Sequence, residues 1–417
     1  MTQTGLNHQV SRTVLNNGMV VLAVENSAAD IIAARIFLRS GTRYEPREKA
    51  GISHLLAAVL TKGTEKLSSM EIAERVESVG ASLSTDAAAD YFLVSLKTVS
   101  ADFEEMLYLT GELLRSPTFP TAEVELEKRV TLQGIRSQQE QPFSIAFEQL
   151  RTAIYQNHPY SLSSLGTEET TANISADDII DYHKTYFRPD NIVISIVGRI
   201  IPAEAIALVE KVFTDWPAPS EKLIPPQIPS IISKPKQMMN PQPTQQSIVM
   251  LGYLAASVYN PDYMPLKLLN TYLGNGLSSR LFVELREKRG LAYEVSALYP
   301  TRIDQSPFVV YMGTAPENTS IALLSLQNEV ERLFRVELTE DELQASKNKL
   351  LGQYALGKQT NTQIAQILGW YETIGLGVEF DTRFNQEISA ITIAEMKEVA
   401  SRYFIEPYIS IVGPNVL

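Results

Sequence analysis

Cysteine is absent from all 417 residues of the sequence. The chain therefore forms no disulfide, holds no metal through a thiolate and offers no cysteine nucleophile. Basic residues are fewer than acidic ones, 36 against 48, and the formal net charge is −12. A chain with this charge is repelled by a phosphate backbone, so nucleic acid is not expected as a partner.

Long apolar runs are missing as well. No stretch approaches the roughly 18 apolar residues that a membrane helix needs, so no membrane partner is expected. Residues 1–8 contain neither a basic nor an apolar region, and the sequence predicts no signal peptide and a cytoplasmic location. A hydrophobic fraction of 44% and a charged fraction of 20% are typical of a globular protein, with two or more domains at this length.

A long-period repeat organises the chain. The pentapeptide Ile-Ser-Ile-Val-Gly occurs at 194–198 and again at 409–413, and a Tyr-Phe pair followed by a proline precedes each copy. Each copy also follows a predicted helix, which begins near Ser175 in the first half and near Thr392 in the second. Together with the similar order of predicted strands and helices, this repeat indicates two copies of one α/β domain rather than a solenoid.

The predicted domain boundaries follow from proline. Eight prolines fall within 217–243, a density that favours an extended linker with little regular structure. We therefore expect an N-terminal domain at 1–216 and a homologous C-terminal domain at 244–417. Within the first domain, Ser68 followed by Glu71 predicts the capped start of an amphipathic helix.

One histidine, His54, begins a pattern typical of a metal-binding helix. Zinc peptidases of the inverted-motif class carry His-x-x-Glu-His, and histidines four residues apart lie on one helix face where both bind the same Zn²⁺. The glutamate between them polarises the attacking water. In this chain Ala57 replaces the glutamate and Ala58 replaces the second histidine. One imidazole does not hold a catalytic zinc ion, so the sequence predicts a degenerate metal site.

The flanks of this motif, Gly51 before it and Lys-Gly-Thr at 62–64 after it, resemble the pitrilysin, insulinase and mitochondrial-processing-peptidase family of zinc metalloproteases. The resemblance covers nearly the whole chain. It implies an α+β fold of two tandem homologous α/β domains, each a mostly antiparallel sheet covered by helices. In active members a glutamate on a later helix is the third zinc ligand, and that position falls at Gly134 here, beside Gln133. The resemblance therefore implies no metal in this chain.

The second half keeps a different part of the family pattern. Ser278 or Ser279 is expected to cap a helix that Gly290 ends. This segment resembles the family segment that carries a substrate-binding arginine and tyrosine seven residues apart, and the matching positions are Arg286 and Tyr293. The resemblance implies that the arginine holds the peptide and that the tyrosine stabilises the oxyanion. Without it, the two would be an ordinary solvated charge and an ordinary strand aromatic.

Three other features are open to more than one interpretation. Gly274 and Gly276 could indicate phosphate binding, but no Gly-Lys-Ser/Thr follows, and in relatives a glycine-rich loop here contacts substrate. His158 and His183 are expected to have structural roles. His54 is expected to bond a neighbouring backbone group rather than a metal.

Two functional hypotheses follow. In the first, the chain is the non-catalytic, substrate-binding subunit of a heteromeric zinc peptidase, whose homologous partner chain supplies zinc and whose substrate is a peptide. In the second, it is a structural homologue without proteolytic role, like the core subunits of respiratory complexes, and possibly a homodimer. A third hypothesis, a peptidase active on its own, needs a metal site rebuilt around His54, and the sequence offers no second ligand for one.

Overall fold

The computed structural model describes residues 9–414. Residues 1–8, over which no signal peptide is expected, lie outside the described part. Within that part, no helix is both long and apolar enough to cross a membrane. The chain forms two compact units, one comprising the chain up to Ile135 with Ser163–Gln227 and Ala355–Thr382, the other Arg136–Leu162, Ile228–Tyr354 and the chain from Arg383 onward.

The first unit is built on a six-stranded sheet. Its strands, in chain order, are β1 Ser11–Val14, β2 Val20–Glu25, β3 Ile31–Leu38, β4 Ser82–Ala87, β5 Phe92–Val99 and β6 Ile192–Gly198. They lie in the order β1-β2-β6-β3-β5-β4, and every neighbouring pair is antiparallel except β2 with β6. The helices in the N-terminal half of the chain are α1 Ile52–Val59, α2 Ser69–Ser78, α3 Phe103–Arg115, α4 Thr121–Gln139, α5 Pro142–Tyr155, α6 Glu168–Asn173, α7 Ala176–Tyr186 and α8 Pro202–Phe213.

The second unit is built on a five-stranded sheet. Its strands are β7 Gln237–Pro241, β8 Ser247–Ala255, β9 Glu294–Leu298, β10 Ser306–Thr314 and β11 Tyr408–Gly413. They lie in the order β7-β11-β8-β10-β9, and every neighbouring pair is antiparallel except β7 with β11. The helices in the C-terminal half of the chain are α9 Tyr263–Gly274, α10 Thr319–Arg335, α11 Glu340–Leu356, α12 Asn361–Thr373, α13 Phe380–Ala390 and α14 Ile393–Tyr403, with a π-helical turn at Phe282–Lys288.

The two sheets have the same topology. Strands β2, β6, β3, β5 and β4 of the first sheet correspond in order to β7, β11, β8, β10 and β9 of the second, and the one parallel pair stands at the same place in both. The predicted α+β fold with two tandem homologous domains is confirmed.

The units do not coincide with the contiguous ranges 1–216 and 244–417, because each half of the chain gives one helix to the other unit. Helix α5 packs on β8 and β11, and α12 packs on β3 and β6. Glycines allow both contacts: a Cβ at Gly252 would lie 2.8 Å from Leu150, and one at Gly369 would lie 2.5 Å from Phe37. A helix can rest closely on a sheet where no side chain intervenes.

The proline-rich segment is also more structured than expected. Residues 217–236 carry no helix or strand, in keeping with an extended linker, but Gln237–Pro241 forms β7 and pairs with β11. The prediction of a linker reaching residue 243 was wrong over this strand. The cause is a non-local parallel pairing, which proline density does not reveal.

Three helices begin where the sequence predicted, and each has a side-chain cap at its first turn. The Ser68 hydroxyl accepts from the backbone of Glu71, and the Glu71 carboxylate accepts from the backbone of Ser68 at 2.8 Å. Ser175 and Thr392 begin α7 and α14 in the same way. These caps satisfy backbone N–H groups that have no partner inside the helix.

His183 fastens α7 to the end of α3. Its Nε2 donates to the carbonyl of Leu114, 3.0 Å away, which belongs to the last turn of α3 and has no partner within that helix. Its ring lies between Phe119 and Phe187. Burial lowers the pKa of His183 from 6.5 to about 4, because the charged ring would lose its hydration there, and the hydrogen bond to Leu114 opposes this shift only in part. These contacts give His183 a structural role.

This histidine should make the fold sensitive to acid. A folded-state pKa below the unfolded-state value gives stability that is present above about pH 6.5 and lost as the pH falls through about 4. The loss should be about 3 kcal/mol in the free energy of unfolding. Urea unfolding at several pH values measures it. His183→Gln keeps an N–H donor but does not titrate, so the variant should lose less stability than the wild type over this range; equal losses would contradict the assignment.

Candidate functional site

Helix α1 is fixed at its first turn by a half-buried carboxylate, that of Glu45. The backbone N–H groups of Gly51 and Ser53 donate to Glu45 at 2.8 and 2.9 Å. Burial raises the pKa of Glu45 to about 7, against the opposing effect of these hydrogen bonds. Gly51 adopts a left-handed φ of 97°, and a Cβ there would lie 2.6 Å from the carbonyl oxygen of Leu165. The position before the helix therefore requires glycine.

His54 is half-buried on α1, and the groups that would complete a metal site are missing. Ala57 is buried and Ala58 half-buried, and the carbonyl of Ala57 accepts a hydrogen bond from Thr85 of β4 at 2.5 Å. Burial lowers the pKa of His54, although Asp86 and Glu127 act to raise it. The neutral imidazole is favoured.

Helix α4 contacts the segment that follows α1. Lys62, just after α1, forms an ion pair with Glu127 at 3.0 Å. Seven residues further along, a Cβ at Gly134 would lie 3.7 Å from the side chain of Leu165, the residue whose carbonyl abuts Gly51. Glu127 and Gly134 are two turns apart on α4 and therefore lie on the same face of that helix. Gly134 is half-buried, whereas Gln133 is exposed.

The zinc ion that the family implies does not fit these residues. Positions 57, 58 and 134 offer two methyl groups and a hydrogen where a catalytic site needs a base and two ligands. Across residues 9–414, no group of three or more histidine, aspartate or glutamate side chains is placed to hold a metal ion. The nearby carboxylate of Glu127 is paired with Lys62.

In the second unit, Arg286 lies on the π-helical turn Phe282–Lys288. Its side chain is exposed, its guanidinium carbon lies 5.0 Å from the centre of the Phe282 ring, and it makes no hydrogen bond or ion pair with any described residue. A π-helical turn is rare and frequently occurs at functional sites. The turn ends where Gly290, with φ 61°, donates to the carbonyl of Arg286.

Tyr293 lies just before β9, and its side chain is 60% exposed. Its backbone N–H donates to the carbonyl of Gly313 on β10, so the main chain is held while the ring remains free. Arg286 and Tyr293 thus flank one short connection, and neither the guanidinium nor the phenol hydroxyl forms a hydrogen bond or ion pair within residues 9–414.

The expected serine cap of this turn is not formed. The Ser279 hydroxyl is buried and has no hydrogen-bond partner among residues 9–414. The Ser278 hydroxyl instead accepts a hydrogen bond from Nζ of Lys349 at 3.4 Å. The turn begins through the backbone, where Val283 donates to the carbonyl of Ser279. The prediction of a serine N-cap was therefore wrong.

The glycine-rich loop at 274–278 is fastened on two sides. Ser296 of β9 donates to the carbonyl of Gly274 at 2.6 Å, and Lys349 of α11 donates to the carbonyl of Asn275. A Cβ at Gly274 would lie 2.0 Å from the nitrogen of Ala297, so this glycine is required for close packing on β9. Gly276 has a left-handed φ of 80°. No feature of the loop other than its glycines favours phosphate binding.

Comparison with known proteins identifies the class to which this fold belongs. Residues 20–168 match the sequence model described as "Insulinase (Peptidase family M16)", and residues 173–350 match that described as "Peptidase M16 inactive domain". The chain belongs to the M16 peptidase family, which confirms the family that the sequence predicted.

Relatives and solved structures match over almost the full chain. An uncharacterized zinc protease of Bacillus subtilis is 28% identical over 97% of this chain and 98% of its own length. One from Rickettsia bellii is 24% identical over 99% and 98%. A structure described as the peptidase M16 inactive domain from Pseudomonas fluorescens superposes with a TM-score of 0.91 at 26% identity, covering 98% of both chains. A protease from Helicobacter pylori has the same fold, with a TM-score of 0.89 at 23% identity over 97% and 99%.

Proposed function

We propose that this chain is the non-catalytic, substrate-binding subunit of a heteromeric zinc peptidase. The observation that carries the proposal is the contrast between the two units. The degenerate metal site lacks the base and one ligand on α1 and a second ligand on α4, whereas Arg286 and Tyr293 are exposed and their side-chain polar groups have no hydrogen-bond partner among the described residues. A zinc-bearing homologous chain would supply the metal and the water, and this chain would supply the two side chains. We place the complex in the cytoplasm.

The chemistry of Arg286 suits a peptide ligand. Guanidinium offers several fixed N–H donors and stays charged at all relevant pH values, so it can donate to backbone carbonyls of an extended chain. Because Arg286 has no carboxylate partner among the described residues, binding a peptide breaks no internal ion pair. That lowers the cost of using this side chain for binding.

The chemistry of Tyr293 suits the transition state. A phenol hydroxyl can donate to the oxyanion that forms when zinc-bound water attacks the scissile carbonyl. Its backbone N–H is bonded to β10 while its ring is exposed, so the main chain is held in place and the hydroxyl is accessible to a ligand. Tyr293 therefore complements a metal that lies in another chain.

The competing proposal is a structural homologue in which the two side chains are retained without use. The exposed Arg286 and Tyr293 are compatible with it, but it assigns them no role. The two proposals differ in what they predict for a mixture of chains.

A reconstitution assay tests the proposal. Peptide turnover is measured for this chain alone, for a zinc-bearing M16 chain from the same cell alone, and for the two mixed in equal amounts. Turnover in the mixture well above the sum of the separate rates is the expected result. A zinc-bearing chain that is fully active alone and gains nothing from the mixture would favour the structural homologue.

A further inference from the structure

We propose that Glu329 is a positioning residue, which holds the π-helical turn so that Arg286 is presented to the peptide. This inference rests on the proposed function. Glu329 lies on α10, is 4% exposed and has no place in the sequence pattern that suggests Arg286 and Tyr293.

The carboxylate of Glu329 contacts both ends of the turn. Its Oε2 accepts from Nε of Arg280, 2.7 Å away, and its Oε1 lies 3.7 Å from the guanidinium of Arg289. Arg280 precedes the π-helical turn Phe282–Lys288 and Arg289 follows it. One buried group on a neighbouring helix thus fixes the start and the end of the segment that carries Arg286.

A second set of contacts keeps Arg286 itself unpaired. Within the turn, Glu284 pairs with Lys288 at 2.7 Å and lies 3.8 Å from Arg280, so its charge is neutralised by those two residues. Arg289 also donates to the hydroxyl of Ser325, one turn before Glu329 on α10. Of the arginine side chains at 280, 286 and 289, only that of Arg286 has no hydrogen bond or ion pair with a described residue.

The turn needs such support. A π-helix is rare and mostly occurs as a single turn within an α-helix, so a seven-residue π-helix depends on the structure around it. If the charge of Glu329 is removed, both ends of the segment lose their attraction to α10. The direction in which Arg286 points is then no longer fixed.

The test is a double-mutant cycle on peptide affinity. Fluorescence anisotropy of a labelled, unstructured synthetic peptide is measured with the full chain, with Glu329→Gln, with Arg286→Ala and with the double variant. We expect Glu329→Gln to weaken binding about tenfold in the wild-type background and to have no further effect once Arg286 is alanine. Glu331→Gln is the matched control, because it removes a carboxylate from the same helix whose ion-pair partner within residues 9–414 is the exposed Arg335. It should leave the affinity unchanged.

Arg289→Gln gives a second route if Glu329→Gln does not fold. Arg289 is 44% exposed, so the variant should remain folded, and the loss of affinity should be smaller but equally dependent on Arg286. Wild-type affinity in the Glu329 and Arg289 variants, with binding lost in Arg286→Ala, would overturn the positioning role and leave the proposed function standing. Equal losses in both backgrounds would also overturn it. A wild-type chain that does not bind the peptide would overturn both.

Discussion

In a complex with a zinc-bearing partner, Tyr293→Phe should lower kcat for peptide cleavage by roughly 10²–10³-fold, the usual cost of removing one oxyanion donor. KM should change little, because the hydroxyl acts mainly in the transition state. Arg286→Ala should also abolish most cleavage, but with a higher KM, since guanidinium holds the ground-state peptide as well. Steady-state kinetics of the reconstituted complex separate these two effects.

Two controls accompany these variants. Tyr108→Phe removes another partly exposed phenol in the first unit, and Arg335→Ala removes an exposed arginine on α10. Neither should change turnover. The amounts of complex recovered by size-exclusion chromatography should be equal for all variants. Unchanged turnover in the Arg286 and Tyr293 variants would contradict the assignment of both residues.

Restoring the missing groups should create a zinc site. The triple variant Ala57→Glu, Ala58→His and Gly134→Glu supplies a base and two ligands to join His54, and should bind about one Zn²⁺ per chain where the wild type binds none. Ala58 is half-buried, and a Cβ at Gly134 would make only an ordinary contact, 3.7 Å from Leu165, so larger side chains can be accommodated at these two positions. Metal analysis and the rise in melting temperature on adding zinc measure the effect.

The placement of the third ligand can be tested by a shift of one residue. A variant with Gln133→Glu in place of Gly134→Glu carries the same charge, but position 133 is exposed and position 134 is the one that faces Leu165. It should bind zinc much more weakly. Tighter binding by the Gln133→Glu variant, or none by a folded triple variant, would contradict the position assigned to the ligand.

Local signals in the sequence predicted much of the fold. The cap at Ser68 formed as expected, and the helices expected near Ser175 and Thr392 begin there with the same kind of cap, whose partner lies only three residues away. The repeated Ile-Ser-Ile-Val-Gly strands occupy matching places in the two sheets. The exchange of α5 and α12 was not predictable, because it depends on glycines at 252 and 369 that contact residues distant in sequence.

In the candidate site, too, some features could be predicted from the sequence and others could not. Residue identity alone shows that positions 57, 58 and 134 lack metal ligands. Sequence did not reveal Glu45, which caps α1, or Glu329, which joins Arg280 and Arg289 from another helix. Both are carboxylates whose partners are set by tertiary packing, and composition or periodicity gives no sign of such partners.

The central claim is most directly tested by affinity purification of the tagged chain from its native cell, with quantitative mass spectrometry of the associated proteins. The account predicts that an M16 chain with an intact His-x-x-Glu-His motif is recovered in about equal amount. Recovery of this chain as a stable homodimer, with no zinc-bearing relative, would contradict it and favour the structural homologue.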